Sequence, residues 1–154
     1  MDGIVVEPLG HVVGGRAVVE DDAWGAVESR ISLDHPRVTA ETVRGLAEFS
    51  HVEIVFVFDR VDADGVEWGS RHPRGNPEWP LVGILAQRAK DRPNRIGVSR
   101  CELVGVDGTA LIVRGLDAVD GTPVLDVKPW LGGFAPRGAV REPAWTHELM
   151  RDYW

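Results

Sequence analysis

The stretch IGVSRCELVGVDGTALIVRGL, residues 96–116, decides the fold class of this chain. It consists of two runs rich in β-branched and aliphatic side chains, and Asp107-Gly108 between them is a turn signal for a β-hairpin. Upstream, VEIVFVF at 52–58 predicts a nearly fully buried strand, because most of its side chains are β-branched or aromatic. The middle of the chain is therefore expected to build a sheet.

Similar signals extend this sheet in both directions. The predicted strands are residues 4–7, 16–20, 26–33, 52–58, 81–86, 96–106, 109–116 and 123–127. No regular helices alternate with them, so the pattern indicates a mainly β barrel or sandwich and not a doubly wound sheet. Two helices are also predicted: one over 40–49, with Thr39 as a candidate cap, and an amphipathic one in the tail, residues 142–154.

Length and composition favour a single soluble domain over residues 1–154, since 44% of the residues are hydrophobic and 27% are charged. No run of about 18 apolar residues predicts a membrane helix, and the first residues lack the pattern of a signal peptide. The single cysteine, Cys101, excludes an internal disulfide and fits a reducing compartment. We therefore expect a cytoplasmic protein without membrane contact.

The net charge of −7 argues against a protein coated with nucleic acid, but the charge is unevenly distributed. Residues 71–100 carry seven bases and two acids, which leaves this segment at +5 and the rest of the chain at −12. Any contact with nucleic acid is therefore expected to be local.

The basic loop within GILAQRAKDRPNRIGVS, residues 83–99, is the first candidate site. A predicted strand runs into a loop with four bases and Pro93-Asn94 before the next strand begins. Two interpretations stay open. The loop is either a solvated basic surface, or it directs its arginines at a phosphate, a carboxylate or an adenine ring.

Asp126 in GLDAVDGTPVLDVKPW, residues 115–130, is the second candidate. It lies within an apolar strand, and the period of a strand places Lys128 on the same face. The two side chains form either a structural ion pair or part of a ligand site. Elsewhere, five widely separated histidines give no support for a metal site, and Cys101 is interpreted as a buried inert thiol in preference to a nucleophile.

Three separate blocks resemble one known family. ILAQRAKDRPNRIGVS (84–99) is similar to the pattern F-A-T-R-S-P-x-R-P-N-P-I-G-x-S, and LDAVDGTPVLDVKPW (116–130) to L-D-x-x-D-G-T-P-V-x-D-I-K-P-Y. LAEFSHVEIVFVF (46–58) is similar to a block G-L-E-x-F-S-H followed by a hydrophobic run, and HPRGNPEWPLVGI (72–84) suits the connection between blocks. On these blocks the chain resembles the TsaA-like, or TrmO, family over about residues 43–130.

The resemblance implies a small β-barrel of the TsaA-like type with one or two helices, S-adenosylmethionine as cofactor, and a homodimer. It further implies methylation at N6 of N6-threonylcarbamoyladenosine beside the anticodon of a tRNA. The residues it assigns to the cofactor are Asp59, Arg60, Arg88, Val98, Asp126, Val127, Lys128 and Pro129. The residues expected to contact the substrate are Arg92, Asn94, Arg95 and Trp130. The catalytic residue is not assigned, and Asp126 and Asp59 are the candidates.

The chain departs from the family pattern at several positions of these blocks. Asp59 stands where many members have His, and Trp130 where they have Tyr. In the first block the replaced positions are Gln87, Ala89, Lys90 and Arg95. Two other functions therefore stay open: methylation of a nitrogen in a small molecule, and non-catalytic binding of S-adenosylmethionine or RNA. For tRNA, Trp68, Trp79 or Trp130 would either stack on the acceptor base or pack at the rim of the fold.

Overall fold

A computed structural model describes residues 2–154 of the chain. Its strands and helix are β1 (Gly10–Val13), β2 (Glu28–Ser32), β3 (His51–Val57), β4 (Ser70–Arg71), β5 (Val82–Gly83), β6 (Ile96–Asp107), β7 (Ala110–Arg114), β8 (Pro123–Pro129) and α1 (Ala144–Leu149). Six strands close into an antiparallel barrel in the order β1-β2-β7-β6-β3-β8, while β4 and β5 form a separate two-stranded sheet. The prediction of a mainly β barrel is confirmed.

The alternation of side chains along β3 explains how the sequence builds this barrel. Every second side chain of β3, from Val52 to Phe56, is buried in the core, whereas Val55 faces outward. β3 pairs with β6 on one side and with β8 on the other, so that Val55 lies opposite both Val98 and Asp126. The first and second blocks of the family pattern are therefore neighbours through a single strand.

The predicted hairpin of residues 96–116 is formed by β6 and β7. Asp107 pairs with Ala110 across the turn, and Gly108 adopts the left-handed conformation that this turn requires, with φ of 60°. The inward side chains of the hairpin, among them Leu111 and Val113, join the core of the barrel. The prediction is correct here because every signal in it is local.

Two of the predicted strands are wrong, and two observed strands, β1 and β4, were not predicted. Residues 4–7 and 16–20 are mostly exposed and lie outside the strands, since the barrel closes without them. Its first strand is β1, which begins at Gly10, where a Cβ would lie 1.8 Å from the main-chain oxygen of Ser32. The predicted strand at 81–86 shortens to β5, followed by a 3-10 turn.

The helix predicted over 40–49 is also wrong. Only Leu46–Glu48 are helical, as a single 3-10 turn, and the residues before them form turns. Gly45 adopts a left-handed conformation with φ of 84°, which interrupts any α-helix at that point. Val43 is nevertheless buried in the core, so its apolar character reflects packing of an irregular segment. The predicted tail helix is present, shortened to α1.

Within residues 2–154, no helix is long and apolar enough to cross a membrane. The same range contains no group of three or more His, Cys, Asp or Glu side chains placed to bind a metal ion.

Candidate active-site cleft

A cleft of about 1150 Å³ lies against the barrel where the basic loop, the segment after β3 and the tail meet. The outer face of β6 contributes Ile96, Val98 and Arg100 to its wall, and Asp117 lies on the connection before β8. Ligand-binding clefts of proteins usually have volumes of roughly 300–1000 Å³. This cleft therefore has room for a nucleoside cofactor together with part of an acceptor.

Internal hydrogen bonds hold the basic loop in a defined shape. Gln87 is buried and donates through Nε2 to the carbonyl oxygens of Arg71 (3.0 Å) and Val82 (3.1 Å). Arg92 donates from Nη1 to the carbonyl oxygen of Gln87 at 2.7 Å. Asn94 adopts the left-handed conformation with φ of 61°, which turns the chain towards β6. The replacement at Gln87 thus has a structural role, and the loop is not a loose solvated surface.

The bases of residues 71–100 divide into two groups. Arg71, Arg74 and Arg100 form ion pairs with Asp91, Asp22 and Glu53 respectively. Within the described part of the chain, the other four bases pair with no carboxylate; they are Arg88, Lys90, Arg92 and Arg95. Three of these four line the cleft. The basic loop therefore presents positive charges without a carboxylate partner on one side of the cleft, and a local anion suits that side.

The cleft brings together half of the residues assigned to the cofactor. They are Asp59, Arg60, Arg88 and Val98. Arg88 Nη2 donates to the main-chain oxygen of Val98 at 2.7 Å, which leaves its other N–H groups available. Arg60 donates to the main-chain oxygens of Ala17 (2.6 Å) and Asp120 (2.9 Å), so it ties three parts of the chain together.

The other half, residues 126–129 on β8, does not line the cleft. Lys128 Nζ lies 2.6 Å from Asp126 Oδ2 on the outer face of the barrel, so the ion pair predicted from the strand period is present. The hydrogen bond with Asp126, and then the charge of that carboxylate, raise the pKa of Lys128. Asp126 is 42% exposed, which does not fit the expectation of a carboxylate within an apolar strand. It is separated from Val98 only by Val55 of β3.

Among the residues expected to contact substrate, only Arg92 lines the cleft. Arg95 donates to the main-chain oxygen of Val61, and Asn94 shapes the turn. Trp130 packs under the guanidinium of Arg100, whose central carbon lies 4.0 Å from the ring centroid. Within residues 2–154, the other two stacking candidates do not line this cleft either; they are Trp68 and Trp79.

Trp24, Phe56 and Phe58 line part of the cleft, and sequence reasoning missed three further aromatic side chains there, which come from the tail. They are Trp145, Tyr153 and Trp154. The Tyr153 hydroxyl donates to Asp117, and Trp79 Nε1 donates to Glu148 Oε2 at 2.8 Å. The helical spacing of the tail predicted an amphipathic helix but not the surface against which it packs. In the structure the tail docks on its own barrel.

Buried polar groups lie at the base of the cleft. Burial, followed by the charge and hydrogen bond of Asp117, raises the pKa of Tyr153, while the positive charges of Arg88 and Arg74 oppose this. In the described residues, Asp117 Oδ1 and Ser99 Oγ are buried without a hydrogen-bond partner. Unpartnered polar atoms are costly in a protein interior, so these two suit a polar ligand. Together with the exposed carboxylate of Asp59, these oxygen atoms fit a cationic nucleoside such as S-adenosylmethionine.

Glycine in the Ile96-Gly97 pair of the first block has a packing role. A Cβ on Gly97 would lie 2.5 Å from the ring of Phe56 and 2.9 Å from that of Phe58. These two rings meet edge to face with centroids 5.2 Å apart. Cys101 on the same strand is buried, and its burial and the charge of Asp117 raise its pKa to about 12. An inert thiol is therefore the interpretation that the structure supports.

Known proteins resemble this chain over most of its length. Residues 20–134 match the family model described as the tRNA-methyltransferase O N-terminal domain. A "tRNA (adenine(37)-N6)-methyltransferase" of Escherichia coli K12 is 41% identical over 112 residues, which are 69% of this chain and 46% of that protein. The human protein of the same name is 36% identical over 111 residues, 72% of this chain and 25% of its own length. The chain thus spans about half or less of these relatives.

Solved structures show the same barrel. A structure described as TrmO superposes with a TM-score of 0.74 at 27% identity, covering 92% of this chain and 64% of the other. TrmO from Pseudomonas aeruginosa gives a TM-score of 0.70 at 28% identity, covering 91% of this chain and 62% of the other. The matching family model, the similar relatives and the shared fold agree. This chain therefore belongs to the family of the tRNA-methyltransferase O N-terminal domain.

Proposed function

We propose that this chain is an S-adenosylmethionine-dependent N-methyltransferase that acts on N6 of threonylcarbamoyladenosine beside the anticodon of tRNA. The observation that carries the proposal is the cleft that gathers Asp59, Arg88 and Val98 beside an uncompensated basic loop. Relatives named as tRNA (adenine(37)-N6)-methyltransferases support the choice of acceptor. The acidic remainder of the chain favours a contact limited to the anticodon loop.

We assign distinct tasks to the residues of the cleft. S-adenosylmethionine supplies, when bound, an electrophilic methyl group on a positively charged sulfur. The exposed carboxylate of Asp59 favours that positive charge, and the free N–H groups of Arg88 suit the carboxylate of the same molecule. Residues 126–129 extend this surface across β3, one strand away from Val98. The protein then acts mainly by alignment, since reacting atoms must be held about 3–3.5 Å apart in line.

The acceptor nitrogen must lose a proton as it gains the methyl group. Of the two candidate bases, Asp59 lines the cleft and Asp126 does not. We therefore place the proton at a carboxylate oxygen of Asp59, from which it passes to water. An adenosine in an anticodon loop is already unpaired, so moving it into the cleft costs little.

Mass spectrometry of tRNA nucleosides from cells with and without this protein tests the proposal. We expect N6-methylated threonylcarbamoyladenosine to be lost when the protein is absent, and purified protein with labelled cofactor to restore it. If the tRNA nucleosides are the same with and without the protein, and the purified protein methylates a small amine, a small-molecule methyltransferase would be favoured. In that case turnover would vary little with salt, whereas activity on tRNA falls steeply as salt rises. Binding without transfer to any acceptor would favour a non-catalytic module.

We also propose a homodimer, as the family resemblance implies. Two exposed apolar side chains on the wall of the cleft support this, because Leu85 and Ile96 are 76% and 42% exposed. Sedimentation equilibrium is expected to give twice the chain mass of 16.9 kDa, and Leu85→Glu is expected to halve it. A monomer at all accessible concentrations would rule the dimer out. The cytoplasmic location stays a prediction.

A further inference from the structure

The tail lines the cleft although it lies outside residues 20–134, the part of the chain that matches the family model. The wall that carries the matched residues includes Arg88 and Val98, while the tail adds Trp145, Tyr153 and Trp154. One boundary of the cleft is thus formed by the family pattern, and another by sequence that this pattern does not describe. The wall formed by the matched residues suits the cofactor, and the wall formed by the tail suits the acceptor.

Contacts with the barrel fix the end of the tail. Main-chain N–H groups of Ala23 and Trp24 donate to the carbonyl oxygens of Asp152 and Tyr153, each at 2.8 Å. The Tyr153 hydroxyl donates to Asp117, which belongs to the second block of the pattern. A segment held by both main chain and side chain loses little conformational entropy when a ligand binds. The tail is therefore preorganised as a wall.

Trp154 is the most exposed ring that the tail presents in the cleft. Its side chain is 58% exposed, and its ring meets that of Tyr153 edge to face with centroids 4.8 Å apart. Its main chain packs against Gly25, where a Cβ would lie 2.7 Å from the Trp154 carbonyl carbon. An exposed tryptophan in a fixed orientation offers a platform on which an unpaired base can stack.

We propose that Trp154 stacks on the acceptor base, and that Tyr153, held by Asp117, is a positioning residue that sets the orientation of the Trp154 ring. The ligand class is an unpaired adenine base in a single-stranded loop of RNA, with its phosphates near Lys90 and Arg92 of the basic loop. This inference rests on the proposed function for the identity of the acceptor. It adds a contact that depends on the tail.

The test compares three measurements on the full chain: cofactor affinity by calorimetry, tRNA affinity, and KM for tRNA. We expect Trp154→Ala to weaken tRNA binding and raise KM by about 5- to 150-fold, the range for loss of one stacked base. Trp154→Phe keeps a stacking ring and is expected to retain most of the affinity. Cofactor affinity stays unchanged in both variants. The matched control is Trp68→Ala, which removes a tryptophan that is 77% exposed outside the cleft.

Tyr153→Phe and Gly25→Ala separate positioning from contact. Both keep Trp154, so a rise in KM for tRNA at unchanged cofactor affinity supports positioning. If Trp154→Ala behaves like Trp68→Ala while the wild type methylates tRNA, the inference is overturned and the proposed function stands. If the wild type binds tRNA through Trp154 but transfers no methyl group, the proposed function fails and the inference stands. A wild type that neither binds nor methylates tRNA overturns both.

Discussion

Arg88 and Val98 are joined by a hydrogen bond from Nη2 to the main-chain oxygen, 2.7 Å long, that ties the basic loop to the outer face of β6. Both residues belong to the first block of the family pattern. The bond orients the guanidinium along the wall of the cleft, so that its other nitrogens are available to a ligand.

Arg88→Ala is expected to reduce the affinity for S-adenosylmethionine by about ten- to a hundredfold, because a hydrogen bond to a charged group contributes roughly 1.5–3 kcal/mol. Asp126→Ala is expected to weaken binding in the same direction. Isothermal titration calorimetry measures both. Arg44→Ala is the control, since that arginine is 75% exposed, pairs with Glu41 and lies outside the lining of the cleft. Unchanged affinity in both test variants would refute the cofactor assignment.

Gly97→Ala is expected to lower the free energy of unfolding by about 1–3 kcal/mol, because the new methyl group overlaps the ring of Phe56. Gly105→Ala is the matched control on the same strand, where a Cβ meets no atom within 4 Å. Urea denaturation followed by tryptophan fluorescence measures the difference. Equal midpoints for the two variants would contradict the close approach of β6 to Phe56.

Tyr153 is the only tyrosine of the chain, so an ultraviolet titration of tyrosinate reports on it alone. Burial and the Asp117 carboxylate raise its pKa above the ordinary value of about 10, and the urea-unfolded protein should titrate near that value. Since the folded pKa is the higher one, the stability it contributes is complete below about pH 10 and is lost as the pH rises further.

Asp117→Asn removes the negative charge beside Tyr153 and is expected to lower the pKa of the phenol relative to the wild type. The value should still exceed that of the unfolded chain, because burial is the larger cause. A folded protein whose tyrosine titrates like the unfolded one would show that the tail is undocked in solution.

Cys101 is expected to resist thiol reagents at neutral pH while the protein is folded. Its pKa of about 12, raised first by burial, keeps the thiol protonated and inaccessible. A disulfide reagent followed by absorbance should therefore detect one reactive thiol only after urea is added. Rapid modification of the native protein would contradict the burial of β6 at this position.

Local signals predicted the parts of the fold that depend on neighbouring residues. The β6–β7 hairpin follows from its own turn, and the Asp126–Lys128 pair from the strand period. Residues 4–7 carry equally apolar side chains but find no partner strand in the closed barrel. β1 was missed because glycine and histidine are not typical of strands. The glycine is needed there, since only a residue without a Cβ can approach the main chain of Ser32 so closely.

Site residues could be predicted only within the blocks that match the family pattern. The resemblance assigned Arg88 and Val98 to one site, and the structure has both at one cleft, whereas no spacing in the sequence brings Tyr153 to Asp117. That contact depends on how the tail crosses the barrel, which is a property of the whole fold. Arg95 was expected to contact substrate and instead donates to Val61, a bond that only the folded loop defines.

The position of β3 between β6 and β8 makes the spacing of the two blocks independent of loop length. Val55 lies opposite Val98 and Asp126, so hydrogen-bonded ladders alone set the distance between them. Extra residues at the Asp107-Gly108 turn would leave that distance intact. A slip of β3 by a single residue would instead turn Val55 into the core and separate the halves of the surface. The turn at Asp107-Gly108 can therefore change in length without moving the two blocks, whereas the alignment of β3 cannot change.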